Sequence, residues 1–337
     1  MKYTNKHGLS NAISRAIISI NNDYDVVGWK SVTTLVDSPR CKILCERHRE
    51  EIVTDVADLY WSFIGNMGHI LAERGAAPGA LVEQRQIVKI LGKDISFKPD
   101  SLEKDIGSLP ITWTLRDFKF TSIWTYKKAM QGFIKEDWVK QMNLYVYLLE
   151  EIGFPISSVQ LEICGRDWRM VERIQSPHDY PERQSGVVDV PIWSKVEQEE
   201  YIESRVALYK ECEELADNDL PKCSHEERWA KPDRWAVVDK TKPVDKRTGL
   251  RPSLPRAASF MSDSDARAFI AKRRIPKPST AKNPKPETIA KALAKANEDA
   301  DRLMVEYRKS KSTRCEDGYC EATKWCNQFH EEVKPAF

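Results

Sequence analysis

The sequence predicts a mixed fold of helices and strands, α/β in the broad sense and α+β in the narrower one. A central mixed sheet would be flanked by helices. Residues 95–98 and 111–119 alternate apolar and polar side chains, which is the period of a strand. Residues 11–20 and 137–152 instead place apolar side chains at helical spacing, and Gly153 predicts where the second helix ends. These patterns place helices and strands in one fold.

The remaining elements of this core follow in chain order. After the first helix, residues 32–36 predict either a short strand or the start of a helix. Apolar positions then predict one long helix over residues 42–73. A first strand is expected at residues 81–90, with a hairpin turn at residues 91–94. A strand at residues 159–164 completes the order helix, three antiparallel strands, helix, strand.

The chain changes character in its second half, and two domains are predicted, residues 1–196 and 197–337, the latter a helical accessory region. A strand at residues 187–196 ends the first domain, and residues 286–309 predict a last amphipathic helix. Residues 240–287 are rich in proline and basic side chains, which predicts an extended, mobile basic arm. This arm would either contact DNA phosphates or be a solvated linker. Its basic residues include Lys272, Arg273, Arg274, Lys277, Lys282 and Lys285.

The composition limits the classes of function. The 337 residues carry a formal net charge of only +2, so any DNA-binding surface would have to be local. Hydrophobic residues make up 41% of the chain, which permits a packed core. No apolar run is long enough to span a membrane and no signal peptide is apparent, which predicts a cytoplasmic protein. The G-xxxx-GK-[ST] phosphate loop is absent, which disfavours a nucleotide-driven motor.

Two carboxylates and one ammonium group are expected to converge near the middle of the chain. If the strands at residues 95–98 and 111–119 pair as a hairpin, Asp100 and Asp117 come close together. Asp117 and Lys119 are two residues apart in a strand and therefore share one face. Carboxylates without thiolates suit a hard cation such as Mg²⁺ or Mn²⁺, and the ammonium group of Lys119 would orient a water molecule.

These residues carry a resemblance to a known superfamily. Pro99-Asp100 followed by Asp117-Phe118-Lys119 resembles the signature of the PD-(D/E)xK nucleases. Residues 65–73 resemble the G-xxx-H-xxx-E helix of the RecB-like branch, and residues 141–145 resemble its Q-xxx-Y motif. The motifs occur in the family's order within about residues 35–167. The resemblance implies the restriction-endonuclease-like αβββαβ core.

The resemblance also implies roles for individual residues. Lys119 would orient the attacking water and stabilise the transition state. Gln141 and Tyr145 would lie near the active site, where they would touch the DNA backbone or orient the lysine. The implied metal ligands are His69, Asp100, Asp117 and the carbonyl of Phe118.

Several of these residues have a structural interpretation as well. His69 by itself would be a packed, hydrogen-bonded core histidine, but the aspartates downstream favour a metal ligand. Gly65 is four residues earlier on the same helix face and is expected to permit a close approach. Glu73 would either reach the metal through water or lie in solvent. Gln141 and Tyr145 would otherwise be packing residues of their helix.

The cysteines predict a second inorganic site. Cys315, Cys320 and Cys326 lie close together near the C-terminus, and Cys223 would supply a fourth thiolate from upstream. Thiolates at this spacing suit zinc or an iron–sulfur cluster and exclude Mg²⁺. The alternative is a set of ordinary buried or surface thiols.

Some RecB-like nucleases, including the AddB type and CRISPR-associated relatives, are similar in this plan. They carry a four-iron cluster held by one distant cysteine and three near the C-terminus, which implies a 4Fe–4S cluster here. In that family the first gap of the triplet is usually tighter, and the lone cysteine precedes the G-xxx-H helix, where Cys41 and Cys45 lie in this chain. The fourth ligand is therefore Cys223 or one of these two. Cys164 and Cys212 are expected to be structural.

The combined expectation is a metal-dependent deoxyribonuclease. Because the resembled relatives include exonucleases, an exonuclease is expected. It would act on single- or double-stranded DNA ends in replication, recombination or repair, with a helicase or recombination protein as partner. The small stand-alone format is typical of a bacteriophage or mobile element, which would place the protein in the host cytoplasm. Two alternatives are a DNA-binding module with an idle nuclease site and a partner-binding subunit stapled by zinc.

Overall fold

A computed structural model of the chain describes residues 1–22, 27–246, 249–254, 259–276 and 285–333. The described residues divide into two compact units. The first comprises residues 1–223 and 324–327, and the second comprises residues 224–323 and 328–333.

The first unit contains both helices and strands. In chain order they are β1 (Lys2–Thr4), α1 (Asn11–Asn22), β2 (Lys30–Ser31), α2 (Val32–Val36), α3 (Pro39–Arg47), β3 (Val53–Asp55), α4 (Tyr60–Arg74), β4 (Leu81–Val82), β5 (Gln86–Ile90), β6 (Lys93–Phe97), β7 (Ser101–Lys104), β8 (Trp113–Thr121), α5 (Ile123–Met130), α6 (Glu136–Glu151), β9 (Ile156–Gly165), α7 (Met170–Gln175), β10 (Ser185–Asp189) and α8 (Lys195–Glu214).

A five-stranded sheet in the order β10-β9-β8-β7-β4 lies at the centre of this unit. β8 and β9 are parallel, whereas the other neighbours are antiparallel, so the sheet is mixed. A parallel pair needs a long crossover, which here contains α5 and α6. Side chains of α6, including Met142, Leu144 and Leu148, are fully buried. The mixed α/β class predicted from the sequence is confirmed.

The predicted hairpin is confirmed, because β5 and β6 pair as antiparallel neighbours, but its turn comprises only Leu91 and Gly92, since β6 begins at Lys93. The expected hairpin between residues 95–98 and 111–119 is wrong. β6 pairs with β5 and β2, whereas β8 pairs with β7. The carboxylate of Asp105 closes the β7–β8 connection by accepting hydrogen bonds from Thr112 (2.5 Å) and Thr114 (2.8 Å). β7 begins at Ser101, so Asp100 directly precedes the strand that pairs with β8.

The single long helix expected over residues 42–73 is also wrong, because β3 separates α3 from α4. β3 pairs in parallel with β1, with Val53 opposite Lys2. Its last residue, Asp55, accepts hydrogen bonds from the Lys6 amide (2.7 Å) and the Thr4 hydroxyl (2.8 Å). These long-range contacts hold an extended conformation in a segment whose apolar spacing is helical.

Two other segments are divided differently from the prediction. The strand expected at residues 81–90 is split into β4 and β5, which belong to different sheets. The chain turns between them at Glu83, which has a φ of +51°. The strand expected at residues 187–196 is instead β10, Ser185–Asp189, and it is followed by Pro191, which has no amide to donate to a sheet.

The first unit extends beyond the boundary predicted after Val196. That boundary falls within α8, which packs against the first unit. The Tyr209 hydroxyl of α8 donates to the Thr34 carbonyl at 2.6 Å, and the Arg205 side chain donates to the Leu35 carbonyl at 2.6 Å. Tyr209 is completely buried.

The second unit combines helices with two small sheets, whereas a helical region was expected. One sheet has the order β13-β12-β14, and the other pairs β11 with β15. Its elements are β11 (Ala230–Lys231), β12 (Arg234–Asp239), β13 (Ser259–Phe260), α9 (Asp263–Arg273), α10 (Pro286–Asp301), β14 (Leu303–Arg308), β15 (Lys311–Ser312) and α11 (Thr313–Glu316).

The helix predicted over residues 286–309 ends early. α10 stops at Asp301, and β14 then pairs antiparallel with β12. Leu303 and Val305 of this strand pack on buried Val237. Burial on a sheet thus overrides the helical spacing of these apolar residues.

The basic arm differs from the expected extended segment. Lys272 and Arg273 form the last turn of α9, and Arg274 pairs with Asp301 at 2.7 Å. Lys285 immediately precedes α10. Lys277 and Lys282 lie outside the described residues. Among the helices that the structure describes, none is both long and apolar enough to cross a membrane.

Candidate metal-binding site

Three side chains from separate segments of the first unit form a cluster suited to a cation. They are His69 on α4, Glu83 after β4 and Asp100 before β7. One ligand atom from each lies within 4.8 Å of the other two. His69 Nδ1 is 3.2 Å from Asp100 Oδ2 and 3.5 Å from Glu83 Oε1. An imidazole nitrogen and two carboxylates are thus held in one place.

Asp100 is positioned by the pairing of two strands. Ser101, the first residue of β7, lies opposite Arg116 of β8. This register brings the Asp100 carboxylate beside Phe118 of β8. Asp100 Oδ2 accepts a hydrogen bond from the Phe118 amide at 2.7 Å. The sequence prediction that Asp100 approaches Asp117-Phe118-Lys119 is met, through β7 and not through the expected hairpin.

Glu83 is the site residue that the sequence motifs did not indicate. Its amide donates to the Asp100 carbonyl at 3.3 Å, and its carboxylate also forms an ion pair with Lys98. A φ of +51° is unfavourable for a residue with a Cβ, by roughly 1–2 kcal/mol. This backbone turn points the carboxylate at His69. The sequence shows no spacing that would distinguish Glu83 from an ordinary strand residue.

Glu73 of the G-xxx-H-xxx-E pattern is exposed to solvent, in line with the second of its two interpretations. The expected close approach of the backbone at Gly65 is wrong, because a Cβ added there would meet nothing within 4 Å, whereas the alternative, a close approach of a metal, stays a prediction. Gly68 is the tightly packed glycine. A Cβ at Gly68 would lie 2.1 Å from Phe120 Cζ, so only glycine lets α4 sit this close to β8.

A second group of polar side chains lies on β8 and α6. Lys119 Nζ is 2.7 Å from Asp117 Oδ2 and donates to Gln141 Oε1 at 3.3 Å. Gln141 Nε2 in turn donates to the Tyr145 hydroxyl at 3.1 Å and lies 3.5 Å from Asp117 Oδ1. The four predicted residues of these two motifs therefore form one connected network, with Asp117 only 2% exposed.

Charge and burial shift the protonation of these groups. Burial lowers the pKa of His69, but hydrogen bonds to Asp100 and Glu83 outweigh it and raise the pKa to about 9. Burial raises the pKa of Asp117 to about 6 despite the nearby charge of Lys119. Burial opposes the charged form of Lys119, yet the Asp117 carboxylate keeps the lysine pKa above its ordinary value. Without a cation, the site holds His69 as an imidazolium among carboxylates.

The donor set fits a hard divalent cation. Two carboxylates and one imidazole are ligands that Mn²⁺ accepts, and carboxylates suit Mg²⁺. Asp117 Oδ2 is buried and receives no hydrogen bond in suitable geometry from the described residues, although Lys119 lies beside it. Phe118 contacts the cluster through its amide, so a ligand role for its carbonyl stays a prediction.

The cysteines are distributed over both units. Within the first unit, Cys223 Sγ lies 3.0 Å from the Ser38 hydroxyl, and Cys326 Sγ lies 3.9 Å from Arg40 Nη1. Cys315 and Cys320 belong to the second unit. Cys41 is buried and Cys45 is half-buried. The four-cysteine site and the identity of its metal stay predictions.

The chain is similar to several solved structures. One of them is described as "Crystal structure of SSO0001" and covers 58% of this chain and 84% of its own chain, at 12% sequence identity and a TM-score of 0.40. No family model and no curated protein matches the sequence.

Proposed function

We propose that this chain is a metal-dependent deoxyribonuclease with a PD-(D/E)xK-type core. The observation that carries the proposal is the cluster of His69, Glu83 and Asp100 next to the buried pair of Asp117 and Lys119. The order α4, β4-β7-β8, α6, β9 agrees with the αβββαβ core implied by the motifs. Ligands for a hard cation and a buried ammonium group are the components that phosphodiester hydrolysis needs.

In this proposal, His69, Glu83 and Asp100 hold a Mg²⁺ or Mn²⁺ ion, with Asp117 beside them. A bound ion of this kind acidifies a coordinated water and offsets charge on the phosphate. Ligation requires a neutral imidazole, so His69 would have to lose its proton to hold such a cation. The carboxylates keep the cation in place once that proton is lost.

Lys119 would supply a fixed positive charge for the reacting phosphate. Asp117 and Gln141 fix its ammonium group, and Trp138 packs over it with Nζ 5.7 Å from the ring centroid. A cation held in advance stabilises the charge that develops in the transition state without reorganisation. Tyr145 holds Gln141 in turn, so its role in the proposal is positioning.

The finer parts of the proposal follow the motif resemblance. We propose an exonuclease that acts at DNA ends in replication, recombination or repair, together with a helicase or recombination protein. We further propose a phage or mobile-element role in the host cytoplasm. Visible absorption of anaerobically purified protein would distinguish a 4Fe–4S cluster from zinc at the predicted cysteine site.

The test is a cleavage assay on end-labelled single- and double-stranded DNA with Mg²⁺, Mn²⁺ or a chelator. Lys119→Ala should abolish cleavage, because it removes the fixed cation. Lys89→Ala is the matched control, since Lys89 is a surface lysine 3.7 Å from Asp94. Product lengths separate exonuclease from endonuclease. DNA binding without cleavage under any metal would contradict the proposal and support an idle-site binding module.

A further inference from the structure

Two exposed tryptophans of the first unit each have a cationic side chain close to the indole ring. Trp61 on α4 is 58% exposed, and the Arg166 guanidinium lies 4.2 Å from its ring centroid. Trp124 on α5 is 68% exposed, and Lys128 Nζ lies 6.0 Å from its centroid. Lys128 also lies 5.1 Å from the ring of Phe133, which is 68% exposed as well. Exposed aromatic side chains that lie together mark a candidate binding surface.

Both groups lie near the carboxyl ends of β8 and β9, just beyond Lys119. β8 and β9 are parallel, and their last residues, Thr121 and Gly165, lie opposite each other. Arg166 directly follows β9, and its amide donates to the Thr121 carbonyl at 2.9 Å. The strand carrying Lys119 therefore ends beside Arg166.

Trp124 and Trp61 both lie near the carboxyl ends of β8 and β9. The first residue of α5, Ile123, donates its amide to Asp167 at 2.6 Å, which ties Trp124 to the chain beside Arg166. Trp61 precedes His69 by eight residues on α4, a distance of roughly 12 Å along a helix. Trp61 thus lies within a few nucleotides' reach of the candidate metal ligand His69.

The charges of this surface favour an anionic partner. Within the part of the chain that the structure describes, neither Arg166 nor Lys128 forms an ion pair, and neither Trp61 nor Trp124 donates from its indole. Each group thus offers a ring face beside an unneutralised cation. Stacked bases with a phosphate backbone complement both features, and base stacking on aromatic side chains contributes about 1–3 kcal/mol per base. The bases of a duplex are stacked on each other and cannot use these ring faces.

We propose that Trp61 with Arg166, and Trp124 with Lys128 and Phe133, form a stacking platform that binds single-stranded DNA. The platform rests on the proposed nuclease function for its purpose, because it would hold the strand whose phosphate reaches Lys119. It narrows the substrate class to DNA with a single-stranded portion. Recognition is through ring faces and charge, so it is independent of base sequence.

The test measures binding of a labelled oligo-dT and of an abasic oligonucleotide of equal length to the full-length protein, with chelator present so that no strand is cut. Trp61→Ala and Trp124→Ala should each weaken oligo-dT binding about tenfold, which is the effect of losing about 1.4 kcal/mol of stacking. Neither variant should change abasic binding. Trp61→Phe should recover most of the loss, because it keeps a ring. Ile106→Ala is the control, since Ile106 is a fully exposed apolar residue at the opposite end of β8.

Oligo-dT binding that is unchanged in both tryptophan variants would overturn the platform, as would equal losses for abasic DNA. No binding of single strands by the wild-type protein would also overturn it and would assign the surface to a protein partner. These results are independent of the cleavage assay. Tryptophan-dependent binding without cleavage would sink the nuclease proposal and leave the platform standing.

Discussion

Gly68 of α4 lies directly against the ring of Phe120 of β8, and this contact sets the distance between the helix that carries His69 and the strand that carries Lys119. A Cβ at Gly68 would lie 2.1 Å from Phe120 Cζ. No rotation of an alanine side chain can relieve such a contact, so the helix or the ring would have to move. The position of His69 therefore depends on a neighbour that plays no chemical part.

Gly68→Ala should lower the free energy of unfolding by about 1–3 kcal/mol, the usual cost of overpacking. Gly65→Ala is the matched control on the same helix, where nothing lies within 4 Å of the added Cβ. That variant should be neutral or more stable by up to about 1 kcal/mol, because alanine favours helix. Urea unfolding of both variants checks this. Equal stabilities would show that α4 does not pack on Phe120 as described.

Glu83→Gln should weaken Mn²⁺ binding about tenfold or more, because it removes a charged ligand from the cluster with His69 and Asp100. Glu73→Gln is the control, since Glu73 is exposed on α4. Calorimetric titration of both variants with Mn²⁺ measures the difference. If Glu73→Gln weakened binding and Glu83→Gln did not, the motif assignment would be right and the structural assignment wrong.

Lys119→Met should destabilise the protein by about 3 kcal/mol at pH 8, because it leaves the buried Asp117 carboxylate without its cation. The cost should fall as the pH drops towards 6, because losing the Lys119 charge raises the pKa of Asp117 further and its carboxyl then takes up a proton. The double variant Asp117→Asn with Lys119→Met should regain much of the loss.

A double-mutant cycle on these two residues measures their coupling by chemical unfolding. The surface pair of Lys89 and Asp94, 3.7 Å apart, provides the reference cycle. Its coupling should be close to zero, because solvent screens exposed pairs. A coupling for Asp117 and Lys119 as small as that of the surface pair would contradict the buried ion pair.

The stability of the metal-free protein should depend on pH through His69. Its pKa is about 9 in the folded state and 6.5 as the ordinary value, so folding favours the protonated imidazole. The stabilisation is fully present below pH 6.5 and is lost as the pH rises through 9, with an upper limit of roughly 3 kcal/mol.

Unfolding in urea with a chelator at pH 6, 7.5 and 9 would show this loss. His69→Asn should reduce the dependence, because asparagine does not titrate. Parallel stability curves for the wild type and His69→Asn would rule out the contacts of His69 with Glu83 and Asp100 in solution.

The sequence predicted the elements whose periodicity agrees with their tertiary environment. The amphipathic helices α1 and α6 and the hairpin of β5 and β6 are of this kind. The long helix over residues 42–73 failed because the helical spacing of its apolar residues continues through β3, which is extended by pairing with β1. The prediction of where α10 ends was wrong for a similar reason. Leu303 and Val305 fit the apolar spacing of a helix, but they pack on the sheet as part of β14.

The site could be predicted where its residues belong to a motif with fixed spacing. Asp117, Lys119, Gln141 and Tyr145 form one network, and Asp100 contacts Phe118. Glu83 could not be predicted, because its contribution depends on a backbone turn with a φ of +51° that no local residue pattern requires. Pairwise spacing shows which face a side chain occupies, whereas convergence of distant segments depends on the whole fold.

The three side chains of the cation cluster come from α4, the turn after β4 and the residue before β7. None of these segments contains two of the ligands, and Asp100 is oriented by the amide of Phe118 on a later strand. A chain still emerging from the ribosome thus has no complete cluster until β8 has been synthesised and has paired. If the cluster binds the proposed ion, a chain truncated before β8 should bind that ion weakly, because Asp100 then lacks the Phe118 amide that orients it.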